Sequence, residues 1–242
     1  MRKFSTKGEF MFGYFYFDWT VLLILPALII SVWAQLKVSS TYNKYSKVMT
    51  SRGVCGADAA RAILDANGLH YVKIERVRGH LTDHFDPKAN VIRLSDSVYD
   101  SYSTAAVGVA AHEAGHAVQY AQDYSPIKLR AAIIPATRYG SMLAMPLFFI
   151  GMIMAAPSLM YFGIILYSAV AIFQLVTLPV EFNASARALA ALSGSHTLSE
   201  EELRGAKKVL SAAAMTYVAA LLTSLLTLLR LLLLAGGRNN RR

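Results

Sequence analysis

Cysteine, charge and carboxylates are scarce in this 242-residue chain, and each scarcity excludes something. The single cysteine, Cys55, rules out an internal disulfide framework and offers none of the paired spacings of a zinc ribbon. In Arg52-Gly53-Val54-Cys55-Gly56 it reads as a buried thiol in preference to an inhibitory zinc ligand. Charged residues make up only 16% of the chain against 55% hydrophobic, a balance too apolar for a soluble domain of this length. Part of the apolar excess is therefore expected to face lipid. The formal net charge of +9 invites a nucleic-acid reading, but no basic stripe interleaved with aromatics exists. Lysine and arginine gather instead at the ends of apolar runs, so nucleic acid is excluded as a partner and a bilayer is expected.

Four apolar runs follow. Residues 12–36 form the first, with aromatics at both ends. It is too long for a signal-peptide core and no small-x-small cleavage site follows, so a retained helix is expected. Residues 139–156 and 159–178 read as a helical hairpin, broken only at Ala155-Ala156-Pro157-Ser158, and 209–235 form the fourth span. Before the hairpin, Ile127 to Ile134 reads as a short amphipathic piece whose Lys128 and Arg130, with Arg138, can meet anionic headgroups.

Residues 37–138 have the composition of a soluble domain. A helix is predicted from Gly56, stopped by Asn67-Gly68, then strands at Tyr71-Val77 and Val91-Leu94. If the second strand is an exposed edge, an extended peptide can add to it by backbone hydrogen bonds. His80, Asp83, His84 and Asp86 read as a hydrogen-bonded loop, with a second metal as the weaker alternative.

The chemistry is concentrated in His112-Glu113-Ala114-Gly115-His116. On a helix, two histidines four apart share a face and can hold one Zn2+, while the intervening Glu113 is placed to act as general base. Ser103 is a suitable N-cap, and the apolar run before His112 is too short to span a bilayer, so this helix is expected in the soluble domain. A third ligand is needed. Glu181 is the only carboxylate between Asp123 and Glu200, lies among apolar residues where an unpaired charge is costly, and returns to the same membrane side after two spans. Pro179 suits the start of its helix and Gly194 the exit. Residues 179–208 are thus a helix with the third ligand and a connector.

Together, His112 to Gln119, Pro179-Val180-Glu181-Phe182-Asn183-Ala184-Ser185 and Leu81-Thr82-Asp83-His84-Phe85-Asp86-Pro87 resemble the YugP-type neutral zinc metallopeptidases of bacterial membranes. The chain is more distantly similar to the HtpX and CAAX prenyl protease group. The resemblance implies zinc bound by His112, His116 and Glu181, with Glu113 as base. Ser185 departs from the distant group, which carries Asp there; a serine can orient an imidazole only as a neutral partner. Asn183 and Arg187 are candidates for supporting roles. His84, His196, Tyr217 and Arg187 are the candidates for stabilising the oxyanion, and the residues do not choose among them.

The expected fold is a mainly α membrane protein: about four transmembrane helices with a small α+β zincin-like (gluzincin) catalytic domain carrying H-E-x-x-H on a helix. The expected function is a multi-pass zinc endopeptidase of the cell membrane, one Zn2+ per chain, acting on protein or peptide substrates. Basic residues crowd the catalytic side, which places that domain in the cytoplasm and both termini outside. A catalytically weak or inactive zinc-binding scaffold is the alternative. An intramembrane protease is disfavoured, because His112 lies in no long apolar span and no Asp-Gly ligand follows. Substrate identity, homo-oligomer formation and membrane-protein partners are left open.

Overall fold

The computed structural model describes residues 19–239. Arg2, Lys3, Lys7, Arg241 and Arg242, and residues 12–18 of the first expected span, lie outside them. A 3₁₀ turn, Trp19–Leu23, leads into α1, Leu25–Tyr45, followed by α2, Gly56–Ala66. Three short strands come next: β1, Lys73–Val77; β2, His84–Asp86; and β3, Val91–Ser95. Four helices complete the chain: α3, Thr104–Ala121; α4, Ser125–Ile153; α5, Pro157–Gly194; and α6, Glu200–Asn239.

Four helical stretches among the described residues are long and apolar enough to cross a membrane: Trp19–Tyr45, Ser125–Ile153, Pro157–Gly194 and Glu200–Gly237. They are longer than the apolar runs predict. α1 continues past residue 36 to Tyr45, and the amphipathic piece after Ser125 is the first part of one unbroken α4. Pro179 does not begin a helix; it lies within α5, which ends at Gly194 as expected. Proline at a first helical turn is common, but proline inside a long apolar helix is tolerated where neighbouring helices pack around it. α4 and α5 form the anticipated hairpin, turning through Ala155 at φ +54°. Small residues let their backbones meet: a Cβ on Gly140 would lie 2.7 Å from the Leu166 carbonyl oxygen, and one on Gly163 2.7 Å from that of Ala144.

α2, the sheet and α3 pack around one core that includes Leu64, Ile92, Leu94, Val107 and Ala110, with Leu192 of α5 and Leu210 of α6. In the sheet the order is β1-β3-β2, β3 parallel to β1 and antiparallel to β2. The condition for peptide addition at Val91-Leu94 is therefore not met: β3 is central and buried, and the edge beside α3 is β2, where Phe85 meets the ring of Tyr120 at 5.6 Å. Asp86 closes the β2–β3 turn by accepting the amides of Lys88 and Ala89 at 3.0 and 3.2 Å. Its hydrogen bond from Arg93, with those amides, holds its carboxyl below the ordinary range.

α3 is built to be buried in protein. Ser103 caps it, its hydroxyl accepting the Ala106 amide at 3.3 Å, and small residues from Thr104 to Val118 are enclosed on nearly every face. A short apolar helix here is core, as its length predicts.

Candidate metal centre

The H-E-x-x-H stretch lies in the middle of α3, where four-residue spacing brings the rings of His112 and His116 to 4.7 Å, edge to face. Gly115 between them lets α5 approach: a Cβ there would lie 2.6 Å from the Ala184 carbonyl oxygen. That crossing delivers Glu181 to the pair. Its Oε2 is 3.2 Å from His112 Nε2 and 3.6 Å from His116 Nε2.

Each ring is oriented from its other nitrogen. His112 Nδ1 is 3.1 Å from Ser185 Oγ, and His116 Nδ1 is 3.0 Å from Gln119 Oε1. The fully buried Gln119 donates its amide to the Val180 carbonyl at 2.8 Å and to Asn183 Oδ1 at 2.9 Å. With its NH2 occupied there, Gln119 presents an oxygen to His116, so Nδ1–H donates and Nε2 keeps its lone pair. Arg187 extends this network, donating to Asn183 Oδ1 at 2.7 Å and to Gln122 Oε1 at 2.5 Å. Such outer partners fix imidazole tautomer and aim.

Glu181 is only 2% exposed, and an isolated carboxylate at such burial is costly. Arg130 offsets part of the cost, its guanidinium donating to Oε1 at 3.1 Å. Arg130 therefore points into the site and not, as its position in the sequence suggests, toward headgroups. Burial opposes a charge on the His116 imidazole, but the carboxylates of Glu181 and Glu113 outweigh it and raise its pKa above the ordinary value. The same negative field favours a divalent cation. The donor atoms of His112, His116 and Glu181 all lie within 4.8 Å of one another, and they are the only such group of three among the described residues. Two imidazole lone pairs and one carboxylate, with a position left over, fit a catalytic zinc set.

A cavity of about 210 Å³ opens on this group, lined by His112, Glu113, Glu181, Ser185, Asp83 and Tyr217. α1 contributes Val38 and Tyr42 to its wall and α6 contributes Val209 and Ala213, so two candidate spans frame the approach. Asp83 accepts the Ser95 amide at 2.7 Å and its hydroxyl at 3.0 Å. Burial pushes its carboxyl up against those two hydrogen bonds, and the charge of Glu113 pushes the same way.

Of the residues singled out in the sequence, His112, Glu113, Glu181, Ser185 and Tyr217 line the cavity, and His116 joins His112 and Glu181 in the group that could hold a metal. Asn183 and Arg187 stand behind it. His84 is exposed on β2, with Nδ1 2.9 Å from the Thr82 carbonyl oxygen, and His196 is exposed beyond the end of α5. His80 packs edge-on against Tyr42, so the loop histidines and aspartates have partners other than a second metal. Cys55 is buried, its thiol donating to Asp58 at 3.1 Å. Gln119, Arg130 and Asp83 have roles that sequence reasoning missed. Gln119 carries a readable signal, since three residues past His116 puts it on the same helical face.

Comparison with known proteins agrees with this chemistry. The chain is 50% identical over 199 residues, 82% of its own length and 88% of the relative's, to "Putative membrane protease YugP" of Bacillus subtilis (strain 168). No solved structure matches. Residues 20–236 match the family described as "Putative neutral zinc metallopeptidase", and the chain belongs to that family.

Proposed function

We propose that this protein is a membrane-embedded zinc endopeptidase that cleaves peptide bonds close to the bilayer surface, with α2, the sheet and α3 as a zincin-like catalytic unit. The observation that carries the reading is the convergence of His112 Nε2, His116 Nε2 and a Glu181 oxygen beside Glu113 on a cavity framed by candidate spans. One Zn2+ held by those three residues would supply Lewis-acid polarisation of the scissile carbonyl and lower the pKa of a water.

Every other part of the chemistry belongs to the chain. Glu113, directly after His112, accepts a proton from the attacking water on its carboxylate and returns it to the departing amine nitrogen. Ser185 and Gln119 hold the imidazoles in register, and Arg130 holds Glu181. Among the four candidates for stabilising the oxyanion, Tyr217 lines the cavity, so its phenol is assigned that donation. The excess of lysine and arginine around the catalytic side supports a cytoplasmic orientation.

The scaffold reading expects a closed site with four protein ligands. The described residues supply three and a cavity, which favours catalysis. Purified protein with Glu113→Gln is expected to keep its zinc and lose roughly 10²–10⁴-fold in cleavage of an unfolded substrate such as casein. Unchanged cleavage by that variant contradicts the assignment.

A further inference from the structure

A second and larger cavity, about 820 Å³, runs between α1 and α6 away from the metal centre. Five basic side chains line it: Lys37 and Lys44 from α1, and Arg204, Lys207 and Lys208 from α6. No carboxylate does. Arg204 has Glu200 at 3.8 Å, but among the described residues no acidic group pairs with the four lysines. Several other cations have carboxylate partners: Arg130 with Glu181, Lys128 with Asp123, Arg61 with Asp65, Arg93 with Asp86. Four exposed lysines around one groove, none with a carboxylate partner among the described residues and Lys44 resting over the Tyr45 ring at 5.7 Å, form a concentrated positive field that favours an anion.

The position of the groove narrows the anion. No charged residue occurs in α1 before Lys37, nor in α6 between Lys208 and Arg230. The lysines thus mark the same end of two apolar stretches, the level at which a bilayer's phosphates lie. From there the groove continues along apolar wall, including Trp33, which is half exposed, and Met215. A free phosphate would need the lysines and none of that wall; a phosphate carrying acyl chains uses both.

We propose that the groove between α1 and α6 is a binding site for an anionic phospholipid, with the headgroup phosphate held by Lys44, Lys207 and Lys208 and an acyl chain laid against Trp33 and Met215. The same two helices wall the catalytic cavity on their other faces, through Tyr42 and Val209. A lipid in the groove fastens α1 to α6 behind the metal centre. The site stands independently of the peptidase reading.

The test uses the full chain in detergent and native mass spectrometry, titrated with phosphatidylglycerol, phosphatidylcholine or inorganic phosphate. The triple variant Lys44→Gln, Lys207→Gln, Lys208→Gln is compared with Lys73→Gln, Arg78→Gln, Lys88→Gln, which removes the same charge from the sheet region. At about fivefold for each basic residue, the groove variant is expected to lose phosphatidylglycerol affinity by roughly a hundredfold, and the control to keep it. Lys208→Gln alone should lose about fivefold, which keeps the site measurable if the triple variant does not fold. Undiminished binding by the groove variants, equal loss in the control, equal binding of phosphatidylcholine, or displacement of the lipid by inorganic phosphate overturns the proposal.

Discussion

α3 and α5 are both apolar helices, and they solve the problem of apolar surface in opposite ways. α3 is enclosed by protein from Thr104 to Val118, with small residues at nearly every contact. α5 buries Val180, Glu181, Ala184, Ala188 and Leu192 in its later part, yet leaves Phe162, Ile165, Ile172 and Leu175 about half exposed or more in its earlier part, where lipid is the natural solvent. The metal centre forms where the protein-buried helix crosses the lipid-facing one. Neither helix holds a complete ligand set, so the candidate metal centre depends on α3 and α5 being in register.

That dependence can be broken at the crossing itself. Gly115→Val drives branched carbon into the Ala184 backbone, 2.6 Å from where even a Cβ would sit, and helix backbone on both sides cannot yield cheaply. We expect a cost of about 1–3 kcal/mol in thermal unfolding, together with loss of zinc, because Glu181 moves away from the histidines. Retained zinc at reduced stability would separate the crossing from the ligand geometry. A gentler probe removes one tie and leaves the crossing intact. Ser185→Ala deletes the partner of His112 Nδ1, and zinc affinity measured by chelator competition should fall roughly 10–100-fold with the unfolding temperature little changed.

The contrast between the two helices also explains what the sequence disclosed. H-E-x-x-H, its Ser103 cap and its short apolar lead are local patterns, and α3 follows them closely. Glu181 was legible by scarcity, as a lone carboxylate in an apolar stretch. Helix ends in the apolar parts were not, because lipid-facing and protein-facing residues are equally apolar: α5 runs unbroken through Pro179, and α4 absorbs the segment after Ser125. β2 is three residues long, too short for alternation to show, so the sequence did not reveal that β3 is the centre of the sheet. Arg130 and Asp83 gained their roles from tertiary contacts alone, whereas Gln119 sits one helical turn past His116. Arg130 stands 51 residues before the carboxylate it holds, and no local pattern reports such a pairing.

Zinc content per chain in wild type and Glu181→Gln, measured on purified full-length protein with chelator competition, tests the central claim most directly. The account predicts about one zinc in the wild type and a greatly weakened or lost ion in the variant, since a carboxylate from α5 completes the set on α3. Equal stoichiometry and equal affinity in the two proteins would contradict it.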